Sequence, residues 1–170
     1  MIQKCNYLRV LEVFFIEPTM IHFIKEISKK IALAPVSVRN YIEDLQNENL
    51  IRKKEAKPFN GFVANRESEK FTFYKKVYNI YTLRELTEFL VSEYYPKVII
   101  VFGSYSRGED VESSDIDLFL LSKSKKDVEL KIFEKKLHRE IHVIAVNDVK
   151  KLDNKLIKKI YGGVTLYGSF

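Results

Sequence analysis

Apolar and polar positions alternate along this chain in two different rhythms, helical in its first half and mixed strand and helix in its second. Residues 7–16, YLRVLEVFFI, are apolar enough to predict a buried helix, which Pro18 ends. HFIKEISKKI then places Phe23, Ile24, Ile27 and Ile31 at helical spacing with lysines on the other side. Pro35 suits the first turn of a third helix running through VSVRNYIEDLQNENL, with Val38, Tyr41, Ile42 and Leu45 as its buried stripe. Residues 51–57 predict a strand, PFNG a turn and FVAN a returning strand. Residues 68–95 predict one long aromatic-rich helix or a pair, ending before Pro96. The three-to-four spacing of Phe71, Tyr74, Tyr78 and Tyr81 there points to core or domain interface ahead of base stacking.

After Pro96 the period shortens. KVIIVF (97–102), IDLFLL (116–121) and IHVIAV (141–146) are short, β-branched and apolar, and predict buried strands. The charged KSKKDVEL and a helix, KIFEKKLHR, separate the last two, and DVKKLDNKLIKKIYGG predicts a closing helix stopped by Gly162 and Gly163. Such alternation predicts a small α/β unit. The expected division is 1–66, a connecting helix at 67–96, and 97–170. No apolar run approaches the roughly twenty residues that span a bilayer, and MIQKCNYLRV lacks the order of a signal peptide. The single cysteine, Cys5, excludes an internal disulfide and a Cys-based zinc site and fits a reducing cytoplasm.

The net charge of +6 divides evenly, 15 basic against 12 acidic residues up to Pro96 and 14 against 11 after it, so gross charge does not say which half meets an anion. Clustering says more: residues 51–66 carry five basic residues against one acidic, which suits a phosphate backbone as well as a solvated hairpin. Three helices followed by a hairpin, in IKEISKKIALAPVSVRNYIEDLQNENLIRK, resemble a winged helix-turn-helix. The resemblance implies that the helix from Pro35 is a recognition helix. Ser37, Arg39 and Asn40 would then face the major groove of DNA, and Lys53, Lys54 and Lys57 in the wing would meet phosphates. Such modules also serve as protein docking or dimerisation platforms.

Chemistry concentrates in GSYSRGEDVESSDIDLF, residues 103–119. Along a strand alternate side chains share a face, so Asp115 and Asp117 point one way while Ile116 and Leu118 point into the core. Two like charges so close call for a cation between them, and magnesium, which takes carboxylate and phosphate oxygens, is the natural one. Gly103 ends a strand where a backbone must approach something closely. Ser104 adds a hydroxyl and an N–H at a helix start, which together make a phosphate site. A triphosphate on a glycine-serine turn, with its metal on the next strand, describes in-line attack on the α-phosphate and release of pyrophosphate.

The segment GSYSRGEDVESSDIDLFLL resembles the nucleotidyltransferase superfamily, and within it the minimal nucleotidyltransferases, at Gly103, Ser104, Arg107, Gly108, Ser114, Asp115 and Asp117. The likeness covers about 97–167, and the front half further resembles archaeal chains in which a winged helix precedes this domain. It implies an α+β protein: an N-terminal winged helix, then a small α/β nucleotidyltransferase-fold domain with a mixed sheet. It also implies one or two Mg2+ ions, ATP or another NTP as substrate, and nucleotide contacts from Gly103, Ser104, Arg107 and Ser114. Asp115 and Asp117 would carry the metal. A third carboxylate is expected on REIHVIAV, where His142 stands instead; an imidazole there would serve as a general base, with Glu140 two residues earlier as a substitute acid. His22 and His138 have no partner at metal-ligand spacing and read as structural.

Two functions compete. One is transfer of a nucleoside monophosphate to a hydroxyl on a protein such as a HEPN-domain toxin, whose minimal nucleotidyltransferase partners act as antitoxins. The other is a transcriptional regulator that binds DNA while its back domain binds nucleotide or dimerises. A homodimer is compatible with both.

Overall fold

The computed structural model describes residues 5–57, 59–124 and 129–169. Pro58 of the expected PFNG turn and four residues of KSKKDVEL lie outside them. The chain divides into two compact units, Met1–Lys75 and Lys76–Phe170.

The first unit begins with helices α1 (Asn6–Ile16), α2 (Ile24–Lys30) and α3 (Pro35–Asn47). The apolar run of α1 buries Val10, Leu11, Val13, Phe14 and Phe15, and α3 buries Val38, Ile42 and Leu45, with Pro35 in its first turn. Strands β1 (Ile51–Lys54) and β2 (Gly61–Ala64) pair antiparallel. β1 is shorter than the expected 51–57, and all three residues after Ile51 are exposed. Between α1 and α2, His22 makes one antiparallel bridge with Phe62, its N–H donating to the Phe62 carbonyl at 2.8 Å and its carbonyl accepting at 2.9 Å. A third extended segment therefore borders the hairpin. His22 itself is buried, its Nε2 3.0 Å from the Glu17 carbonyl.

The aromatic stretch is a pair of helices, α4 (Glu69–Thr82) and α5 (Arg84–Tyr94). Its inward stripe differs from expectation: Phe71 is buried, but Tyr74 and Tyr81 are exposed, and the other fully buried α4 positions are Lys75 and Asn79. Hydrogen bonds explain this. Lys75 Nζ donates to the Phe15 carbonyl at 2.7 Å, which lets a cation sit inside at tolerable cost.

The second unit is built on a four-stranded mixed sheet, ordered β5-β4-β3-β6. Its strands are β3 (Val98–Phe102), β4 (Ile116–Leu121), β5 (Ile141–Val146) and β6 (Val164–Gly168), with helices α6 (Gly103–Arg107), α7 (Lys131–Leu137) and α8 (Asn154–Tyr161). β3 pairs antiparallel with β4 and β6, and β4 pairs parallel with β5. The expected closing helix is in fact a single 3-10 turn at Val149–Lys151, then α8, then strand β6. Gly163 permits that last turn: a Cβ there would lie 2.4 Å from the Val101 carbonyl oxygen.

The two faces of this sheet carry separate cores. Ile99, Val101, Leu118 and Leu120 pack with Leu83, Leu86 and Leu90 and with Leu130, Phe133 and Leu137, so α5 and α7 cover one face. Val98, Ile100, Phe102, Phe119 and Leu121 pack with Leu156 and Ile160 of α8 on the other. Among the described residues no helix is long and apolar enough to cross a membrane.

Candidate active site

Strand direction brings the chemistry to one end of the sheet. β3 ends where β4, β5 and β6 begin, and register places Phe102 beside Asp117 and Asp117 beside His142. In-register neighbours share a face, so Asp117 and His142 continue the face that α8 covers, beyond the buried Phe119 and the partly buried Ile144. Ile116 and Leu118 are fully buried on the opposite face, as the alternation requires.

Gly103, the first residue of α6, has φ +76°, and a Cβ added there would lie 2.4 Å from Asp117 Oδ2. The motif needs glycine twice over, for a left-handed backbone and for room beside a carboxylate. Burial raises the Asp117 pKa above its ordinary value; His142 pulls it down, Asp115 pushes it further up, and Lys159 pulls it down.

Asp115 sits just before β4, with Oδ2 3.9 Å from His142 Nδ1; Glu140 sits just before β5, with Oε2 3.9 Å from His142 Nε2. One donor atom from each of Asp115, Glu140 and His142 falls within 4.8 Å of the others. Two carboxylates and an imidazole suit a divalent ion: the oxygens favour magnesium, and the nitrogen widens the choice towards manganese. Asp117, expected as the second metal carboxylate, has its Oδ2 close to Gly103 and lies outside this trio.

The remaining expected residues occupy several settings. Ser104 is half-buried in α6, and its carbonyl accepts from Glu109 N–H at 3.1 Å. Arg107 is exposed and paired with Glu109 at 2.7 Å. The Ser114 hydroxyl accepts from Val111 N–H at 2.9 Å, which closes the turn leading into Asp115. Arg39, Asn40, Lys53, Lys54 and Lys57 are exposed and Ser37 half-buried in the first unit. His138 is exposed at the end of α7 with φ +52°, in no metal-ligating group among the described residues.

Sequence reasoning missed the buried support of the loop carrying Asp115. Asp110 is 1% exposed; its Oδ1 accepts from Asn79 Nδ2 at 2.7 Å and its Oδ2 lies 3.4 Å from Arg139 Nη2. Arg139 also donates to the carbonyls of Val111 and Ser114. Asn79 further donates to the Tyr105 carbonyl at 2.8 Å. As one of four acids in GEDVESSD, Asp110 carries no periodic signal that it is buried.

Residues 84–169 match the family model described as "Polymerase beta, Nucleotidyltransferase". No curated protein matches the chain. Among solved structures, a chain of "Crystal structure of the toxin-antitoxin with AMP-PNP" is similar at 23% identity with a TM-score of 0.39, covering 51% of this chain and 73% of that one.

Proposed function

Because the chain belongs to the polymerase beta nucleotidyltransferase family, we propose that its second unit moves a nucleoside monophosphate from ATP or another NTP to an acceptor hydroxyl. The observation that carries this reading is the meeting of Gly103, Asp115, Asp117 and His142 at one end of the sheet. Asp115 and Asp117, with Glu140 beside them, would hold a magnesium ion, which when bound would neutralise phosphate charge. The turn at Gly103 and Ser104 gives the phosphates close access to the backbone. Ser114 fixes the approach to Asp115, and Arg107 reaches the phosphates by leaving Glu109. His142 takes the acceptor proton, its exposed ring lying open to an incoming hydroxyl.

We assign the acceptor to a partner protein in the same cytoplasmic compartment, a tyrosine of a HEPN-domain toxin being the candidate that the antitoxin resemblance implies. The first unit is read as a winged helix. The His22–Phe62 bridge supports this by adding a third extended segment to the hairpin, and Arg39, Asn40 and Ser37 on α3 with Lys53, Lys54 and Lys57 are its proposed DNA contacts. One observation favours the competing reading, a DNA-binding regulator without catalysis: an imidazole stands where a third carboxylate is expected.

Labelled ATP with magnesium, with and without the product of the neighbouring gene, separates the two. Label transfer that disappears in Asp115→Ala/Asp117→Ala is expected. Absence of transfer to every protein or RNA acceptor would remove the enzyme reading and leave the regulator.

A further inference from the structure

A cation stands at this end of the sheet outside the metal-binding group and the Gly-Ser turn. Lys159 lies in the last turn of α8, the helix covering the face that Asp117 and His142 continue. Its neighbour Ile160 packs in the same cluster as Phe102, the in-register partner of Asp117. Three residues later Gly163 is pressed onto the Val101 carbonyl, and Val164 pairs with Val101, so the end of α8 is anchored at the end of β3 where Gly103 turns. The ammonium of Lys159 is exposed, belongs to no ion pair among the described residues, and contributes to the electrostatics of Asp117.

An unpaired lysine beside several carboxylates could be a neutralising counter-charge, but it then belongs in contact with one of them. Held apart at the rim, it suits an anion bound alongside the acids. Resting on the nucleotidyl transfer reading, we propose that Lys159 binds the β- and γ-phosphates of the incoming triphosphate and stabilises the departing pyrophosphate. In that step the acceptor oxygen forms a bond to the α-phosphorus while the bond from the α-phosphorus to the oxygen bridging it to the β-phosphorus breaks. The electron pair leaves with pyrophosphate, next to the Lys159 ammonium, and the acceptor proton passes to His142.

Calorimetric titration of the full chain with ATP and with AMP, each with magnesium, tests the assignment. Lys159→Gln is expected to weaken ATP binding about tenfold, the scale of one charge-assisted hydrogen bond, and to leave AMP binding unchanged. Lys159→Arg is expected to retain most of the ATP affinity. Lys158→Gln, which removes one charge from the same turn, controls for general electrostatics, and melting curves check folding. Equal loss for ATP and AMP, no loss for either, or the same loss from Lys158→Gln would overturn the role of Lys159 while leaving the transferase reading standing. Failure of the unaltered protein to bind either nucleotide would overturn both.

Discussion

At Gly103 the backbone turns with φ +76° while a carboxylate oxygen occupies the space of a side chain. Gly103→Ala therefore pushes Asp117 aside and strains the turn, the backbone part costing about 1–2 kcal/mol. The expected result is a folded protein, by melting, whose label transfer falls at least about a hundredfold, the penalty of misplacing a reacting group. His142 calls for two substitutions. His142→Ala is expected to lower transfer by about a hundredfold or more, as loss of a general base does, whereas His142→Asp is expected to lower the magnesium concentration needed for half-maximal binding. Asp117 gives a pH test. With its pKa raised by burial, the folded state favours the neutral carboxyl, so stability is intact at low pH and falls as pH rises from the ordinary carboxylate range through the raised value. Metal-free Asp117→Asn is expected to melt above the unaltered protein near neutral pH and to lose that margin in acid. At this scale the sequence was legible where chemistry is local: Gly103, Asp115 and Asp117 announce themselves by spacing. Lys159, 42 residues beyond Asp117, is brought to this end of the sheet only by the path of α8 and β6.

The loop from Gly108 to Asp115 depends on a buried pair. Asp110 and Arg139 are 1% and 7% exposed, and Arg139 also carries two loop carbonyls. Arg139→Met leaves a buried carboxylate without its cation and is expected to cost about 3–5 kcal/mol in chemical denaturation. Asp110→Asn, which keeps a hydrogen-bonding group for Asn79, is expected to cost less. Strands and helices with a strong period were readable: IDLFLL and IHVIAV form β4 and β5 over the expected residues. VTLYG was not, because a half-exposed edge strand of five residues, two glycines after a helix, has no apolar run and alternates over too short a stretch to stand out. The stripe of α4 misled for a different reason, since aromatic spacing indicates a buried face only when no polar side chain finds a partner there, and Lys75 and Asn79 both do.

For the whole molecule, the two units predict separable behaviour. Replacing Arg39, Lys53 and Lys54 with glutamine is expected to weaken binding to the gene's upstream DNA in a gel shift. Its salt dependence should flatten by about one unit for each phosphate that is no longer neutralised, with label transfer unchanged. The Asp115→Ala/Asp117→Ala protein is expected to do the reverse. An even charge division gave no hint of which unit would meet nucleic acid; that expectation came from the winged-helix resemblance and from the basic hairpin, where Arg52, Lys53 and Lys54 are exposed in a row.

The pairing of β6 with β3 also carries a consequence in time. Residues 164–168 hydrogen-bond to residues 98–101, across more than sixty positions of chain, and the parallel β4/β5 pair closes only after α7 has crossed between them. Contacts that distant form slowly. Pairing of β6 is therefore expected to be a late step of refolding. Until β6 pairs, the end of α8 lacks its anchor at the end of β3, so completing the sheet and placing that helix end are one event.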